Sequence, residues 1–234
     1  MQYIAHTAHC QFLGLVLGFL SWILTLTTVG LNEWRVWFVS DTAVVDSGVA
    51  WVGIWRACFY SHVLSDSEFC QYLDISEAFL PAEIRAAQVL MMLAVMAGLA
   101  GNVTAAFAMR MAYFSVENRS RIRLLFLLAG TTYVFSSCCS LLPLVLNLNS
   151  VLNNRTIDFP PQFHFPAAPV RQRVGSAIGV GLFASSVMLL SGLVFLSYRY
   201  AWRELKTEVP KDHVSSSTGN KGRDNPSFHF EEVS

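Results

Sequence analysis

Four long stretches of this chain contain no Asp, Glu, Lys or Arg, and they constrain the fold more than any other feature. They cover residues 12–31, 86–109, 124–146 and 174–198, and each reaches the roughly 20 apolar residues that an α-helix needs to cross a bilayer. A helix of that length in a soluble protein would carry a charged face. Only 14% of the residues are charged, whereas a soluble domain carries about 25%. The sequence therefore predicts a mainly α membrane protein with four transmembrane helices.

The basic residues of the connections predict how these helices are oriented. Four arginines follow the second stretch and six Lys or Arg lie in the tail, whereas residues 32–83 contain only Arg35 and Arg56. Because cytosolic loops are enriched in Lys and Arg, we predict that residues 1–11 and a disordered tail at 199–234 are cytosolic. The loops at 32–83 and 149–173 are then outside the cell. The first stretch lacks a basic n-region, so we interpret it as a retained helix rather than a cleaved signal peptide.

The first outer loop, residues 32–83, is too long for a simple connection. Residues 34–39 and 48–60 are rich in aromatic and β-branched types, with turn-forming residues around them, which is typical of strands. We therefore predict a small antiparallel sheet. Cys58 and Cys70 lie on the oxidising side of the membrane, where disulfides form. Closing a loop of this size contributes about 3 kcal/mol, so we predict that they pair.

The aromatic and cysteine residues of this loop resemble a known family signature. Trp34, then Gly53, Ile54 and Trp55, then Cys58 and Cys70 are similar to the W–GLW–C–C pattern of the claudin superfamily, and residues 80–87 resemble the claudin segment that enters the second helix. Arg85 lies in that segment. The alternative for any single Trp of this loop is anchoring at the membrane interface.

This resemblance extends over residues 12–198 and implies both a fold and a function. The fold is a left-handed four-helix transmembrane bundle that carries an extracellular antiparallel β-sheet. The function is assembly into tight-junction strands, through contacts with itself and with other claudin-like proteins in one membrane (in cis) and between two cells (in trans).

Several features depart from the family pattern, among them the eleven residues between Cys58 and Cys70 and the sequence of the second loop at 159–166. Gln88 stands where an arginine is common, and Gln71 follows the second cysteine where some pore-forming claudins have an acid. The sequence ends with Glu232-Val233-Ser234, which lacks the terminal hydrophobic residue that a PDZ groove binds. We therefore expect no binding to a PDZ scaffold.

Two functional hypotheses follow. The first is a structural and adhesive component of tight junctions at the plasma membrane, which seals or tunes the path between cells. The alternative is an auxiliary subunit of a membrane channel or receptor. The balanced net charge argues against a nucleic-acid partner. The scattered histidines show no metal-ligand spacing, so we predict no enzyme, no metal and no cofactor.

Several residues of the two loops are candidate sites. Apolar side chains near the membrane surface are candidates for contacts in cis: Phe79, Leu80, Phe159, Phe163 and Phe165. Residues 32–83 contain eight acids against two arginines, so a pore lined by this loop would favour cations. Asp66 and Glu68 are its candidate pore-facing acids, although the neutral Gln71 favours a sealing surface instead. Asn154 lies in an N-x-S/T pattern and is a possible glycosylation site, and Cys10 is either a palmitoylation site or an inert thiol.

Overall fold

The computed structural model describes residues 2–39, 48–60, 68–114, 119–160 and 169–207. The predicted membrane architecture is confirmed, because four helices are long and apolar enough to cross a bilayer. They are α1 (Gln2–Gly30), α2 (Ala82–Phe114), α3 (Arg119–Leu152) and α4 (Ser176–Thr207). Each helix extends beyond its uncharged stretch at one end or both. The tail predicted as disordered is therefore helical as far as Thr207, and the residues after 207 lie outside the described part of the chain.

A five-stranded antiparallel sheet stands at the end of the bundle where α2 and α4 begin. Its strands are β1 (Arg35–Phe38), β2 (Val49–Val52), β3 (Arg56–Tyr60), β4 (Glu68–Tyr72) and β5 (Arg171–Val174), in the order β4-β3-β2-β1-β5. The predicted strand at 48–60 is thus two strands that turn at Gly53. The strand β5 comes from the second loop and was not predicted, because its polar sequence becomes a strand only by pairing with β1.

The helix ends at the sheet follow from local sequence. Pro81 precedes the first turn of α2, where its missing N–H costs nothing. At the end of α3, Asn154 has a φ of 51°. Its N–H bonds to the Val151 carbonyl at 3.0 Å, and the Arg155 N–H bonds to the Ser150 carbonyl at 3.0 Å. This pair of bonds is a Schellman motif, in which Asn is the commonest substitute for Gly.

Polar side chains connect the helices inside the bundle. The hydroxyl of Tyr133 on α3 donates to the Asn102 side-chain oxygen on α2 at 2.8 Å. Other side chains donate hydrogen bonds to backbone carbonyls of a neighbouring helix. The donor and acceptor pairs are Ser21 and Ala184, Ser136 and Ala94, Ser137 and Ser185, and Trp22 and Val95. Such bonds hold helices together in lipid, where burial of apolar surface provides no drive for association.

Gly175 connects β5 to α4 at a very close approach to the start of β1. A Cβ atom built at this position would overlap the carbonyl oxygen of Glu33, and the Gly175 N–H donates to the Trp34 carbonyl at 3.0 Å. The backbone of the second loop can therefore join the sheet only if this residue has no side chain.

Cys58 and Cys70 form the predicted disulfide, which is confirmed. The two cysteines are directly opposite each other on β3 and β4. The bond therefore ties an edge strand to its neighbour, in the part of the sheet furthest from β5.

The approach at Gly175 predicts that Gly175→Ala destabilises the protein, because the backbone of Glu33 must move to admit a methyl group. Overpacking of this kind costs about 1–3 kcal/mol or more, so we expect reduced surface expression and a lower Tm in detergent. Gly179→Ala is the matched control, since a Cβ there meets nothing within 4 Å. Equal loss of surface protein in both variants would contradict the prediction.

The disulfide predicts that Cys58→Ser lowers the stability of the sheet by about 2–5 kcal/mol, with retention of the variant inside the cell. Thiol labelling of intact, non-reduced cells checks the bond directly, and modification of Cys58 and Cys70 in the wild type would refute it. Cys138→Ser is the control, because Cys138 is a free, exposed cysteine on α3 and its replacement should leave surface expression unchanged.

Candidate functional site

The sheet has two faces of different chemistry. We call the face that is packed against the helices the packed face, and the opposite one the free face. The packed face also carries the polar side chains of Arg35, Gln71 and Gln172, and its apolar part forms a buried cluster with the first turn of α2 and with Ile157. This apolar part consists of Trp37, Ala50, Val52, Ala57 and Phe59, with Phe69 at its edge. Because side chains alternate along a strand, the pairing register then fixes which residues lie on the free face.

The free face carries a basic edge, an apolar centre and an acidic corner. By register it contains Arg171 and Arg173 of β5, Val36 and Phe38 of β1, Val49 and Trp51 of β2, Arg56, Cys58 and Tyr60 of β3, and Glu68, Cys70 and Tyr72 of β4. Trp51 and Tyr60 contact edge to face, with ring centroids 5.6 Å apart. Tyr72 is 75% exposed. The exposed side chains of this face are Arg171, Arg173, Tyr60, Glu68 and Tyr72.

The signature residues lie at the joint between the sheet and the bundle. Trp34 is 1% exposed, and its indole N–H donates to the Thr28 carbonyl at the end of α1 at 3.0 Å. Ile54 is equally buried and belongs to the same cluster, with Met91 of α2 and Leu144 of α3. Their burial supports a packing role for Trp34 rather than anchoring at the membrane interface. Trp55, by contrast, is partly exposed.

Gly53 makes the turn between β2 and β3 possible. Its N–H donates to the Arg56 carbonyl at 2.9 Å, and a Cβ there would lie 3.0 Å from the Asn32 Cα atom. Asn32 in turn accepts a hydrogen bond from the Arg56 Nε at 2.6 Å and donates to the Cys58 sulfur at 3.5 Å. The glycine of the signature therefore lets the chain before β1 pass beside the disulfide.

Gln88 holds this turn to α2, a role that the sequence did not reveal. Its Nε2 donates to the carbonyls of Ile54 at 2.7 Å and Leu73 at 2.9 Å, and the side chain is buried. Arg85, the basic residue of the signature segment, is exposed one turn earlier. The only signal in the sequence was that Gln88 occupies the place of an arginine common in claudins.

A buried cation, Arg35, forms the second part of the joint and was also missed. Arg35 is 1% exposed. Its Nη2 donates to the Asn147 Oδ1 at 2.8 Å and to the Glu83 Oε1 at 3.4 Å, and the Ser150 hydroxyl donates to the same carboxylate oxygen at 2.6 Å. Burial lowers the pKa of the Arg35 guanidinium below its ordinary value, and the charge of Glu83 opposes that shift.

Three of the five apolar candidates for contacts in cis are described, and they lie together. Phe159 packs against Trp37 and against Phe79, with ring centroids 5.5 Å and 5.7 Å apart. Leu80 is 1% exposed and is therefore covered within its own subunit. Phe79 and Phe159 are only partly buried. Phe163 and Phe165 lie outside the described residues.

Of the two candidate pore-facing acids, one lies within the described residues and one does not. Glu68 lies on the free face, opposite Tyr60, and Asp66 lies outside the described residues. Asp74 accepts two hydrogen bonds from Ser76, which lower the pKa of its carboxyl group. Asp74 is thus an ionised acid in the segment that follows β4.

A candidate glycosylation site and a group of metal-ligand residue types also lie near the sheet. Asn154 is exposed at the end of α3, and its glycosylation stays a prediction. Cys58, Glu68 and Cys70 are close enough together to suggest a metal site, but both sulfurs are used in the disulfide. The terminal residues Glu232, Val233 and Ser234 are outside the described part of the chain.

Comparisons with known proteins agree with this architecture. A family model described as PMP-22/EMP/MP20/Claudin tight junction matches residues 19–197. Human claudin-6 is 27% identical over 189 residues, which cover 80% of this chain and 80% of the relative. Dog claudin-2 is 24% identical over 79% of this chain and 76% of its own length. Human claudin-5 is 26% identical over 80% and 81%. The chain therefore belongs to the PMP-22/EMP/MP20/claudin family and is a multi-pass membrane protein of the tight-junction type.

Proposed function

We propose that this protein is a structural and adhesive component of tight junctions, which polymerises within and between membranes to seal or tune the path between cells. The observation that supports this most directly is the disulfide-bonded sheet, whose free face is directed away from its own helices. Family membership supports the same function, because the similar proteins are claudins.

The proposed orientation places the sheet outside the cell and both termini in the cytosol. Arg110, Arg121 and Arg123 lie at the opposite end of α2 and α3 from the sheet, as expected for the cytosolic side. The disulfide supports the same orientation, since such bonds persist in the extracellular space and not in the cytosol.

We propose that contacts between neighbours in one membrane use the aromatic cluster at the base of the sheet. Phe79 and Phe159 are partly buried there, so each can add contact area to a neighbour without leaving its own subunit. Phe163 and Phe165 follow Phe159 in the second loop. Aromatic anchors of this kind dominate the energy of most protein interfaces.

Strand formation is the direct test of the proposed function. In cells that lack tight-junction strands, we expect the expressed protein to form continuous strands at cell contacts, visible by freeze-fracture electron microscopy. Gly175→Ala, which should not reach the surface in normal amounts, is the negative control. A protein that reaches the surface but forms no strands, and that instead co-purifies with a channel or receptor, would support the alternative of an auxiliary subunit.

A test of the second-loop contact is cross-linking between co-expressed copies with different tags. Phe163→Ala should reduce the cross-linked fraction several-fold, because truncating an aromatic anchor costs about 2 kcal/mol or more at an interface. Phe107→Ala is the control, since Phe107 is an exposed aromatic residue on α2 within the membrane span. If Phe163→Ala cross-links as well as the wild type does, the second loop is not part of this interface.

A further inference from the structure

Four of the five described acids of the first loop lie outside the strands of the sheet. Among the described acids, Glu33 accepts a hydrogen bond from Ser176 at the start of α4, at 2.6 Å. Asp74 and Glu77 lie in the turns after β4, and Glu83 is paired with Arg35 at the joint. Glu68 is thus the one acid among the described strand residues of this face, and it lies at the edge of the sheet.

The basic side chains of the free face come mainly from the second loop. Arg171 and Arg173 are exposed and lie opposite Phe38 and Val36 of β1. Two residues along a strand span roughly 6.6 Å, which is less than the screening length of about 8 Å at physiological salt. The fields of the two guanidinium groups therefore add.

Arg56 supplies a third positive charge to the same face. Its hydrogen-bond partner is the neutral side-chain oxygen of Asn32, at 2.6 Å, so the bond orients the guanidinium without neutralising it. Among the residues that the structure describes, the only ion pair is Arg35–Glu83. Among the described strand residues of this face, three arginines are thus balanced by one glutamate.

The centre of the free face strengthens this imbalance. Val36, Phe38, Val49 and Trp51 lie between β5 and the disulfide, and they carry no formal charge. A low-dielectric wall beside charges of one sign focuses their field into the adjacent water and raises the local concentration of counter-ions.

We propose that the free face of the sheet attracts small inorganic anions and repels alkali cations, so that a path between cells along this face favours chloride over sodium. The inference rests on the proposed junctional function and adds the sign of its selectivity. That sign is opposite to the one predicted from the acids of the first loop, because the register of β5 brings two arginines of the second loop to this surface.

Dilution potentials across a transfected epithelial layer test the proposal. The wild type should raise the chloride-to-sodium permeability ratio by about twofold or more above untransfected layers. The double variant Arg171→Gln and Arg173→Gln should return the ratio to the untransfected value. Arg171→Glu with Arg173→Glu should shift it towards sodium.

Arg155→Gln, which removes one positive charge from the same loop, is the control for these variants. Arg155 has the same charge, is exposed and belongs to the same loop. Its carbonyl accepts a hydrogen bond from Gln172 at 3.0 Å, and Gln172 alternates with the two arginines, so Arg155 lies beside the packed face. We expect Arg155→Gln to leave the wild-type ratio unchanged.

Freeze-fracture images of the same layers separate this inference from the proposed function. If strands form and the ratio stays unchanged or shifts towards sodium, the inference is overturned and the function stands. An equal effect of Arg155→Gln and of the double variant would also overturn it, because the charge would then act through the loop as a whole. If no strands form, the function and the inference are both overturned.

Discussion

The position of the sheet on the bundle depends on one buried cation, the guanidinium of Arg35. Its Nε and Nη1 atoms are buried with no hydrogen-bond partner in the described structure, so Glu83 and Asn147 provide all of its compensation. Breaking such a buried pair costs about 3–5 kcal/mol, because the remaining charge stays desolvated. The interaction connects β1 to both α2 and α3. Because β2 and β5 pair with β1 on either side, the rest of the sheet takes its position from this strand.

Gln88 provides a second connection of a different kind. One amide nitrogen satisfies the carbonyls of Ile54 and Leu73, which burial would otherwise leave without partners at a cost of about 1–3 kcal/mol each. An arginine at this place would satisfy the same carbonyls but would bring a further charge to desolvate. The neutral amide avoids that charge, although its own Oε1 is buried without a hydrogen-bond partner in the described structure.

The sequence predicted the features that depend on local composition and missed those that depend on pairing. The spans were predictable because the absence of charge is a property of each stretch by itself. The strand β5 was not, since its sequence Arg-Gln-Arg-Val resembles a polar loop until β1 is beside it. Arg35 was counted as an outer-loop charge because charged residues are rarely buried. Leu80 and Phe159 were predicted to make contacts in cis because they are hydrophobic. Hydrophobicity alone does not distinguish packing within a subunit from packing between subunits.

The charge of the free face also depends on strand pairing and could not be predicted from composition. Counting acids along the first loop treats every residue as facing one way, but alternate residues of a strand face opposite sides. The sign of the surface is therefore a property of the register between β1 and β5. A shift of one residue would turn Gln172 outward and both flanking arginines towards the packed face. That register is fixed where Gly175 lies against the backbone of Glu33, so a residue without a side chain determines which charges the sheet presents.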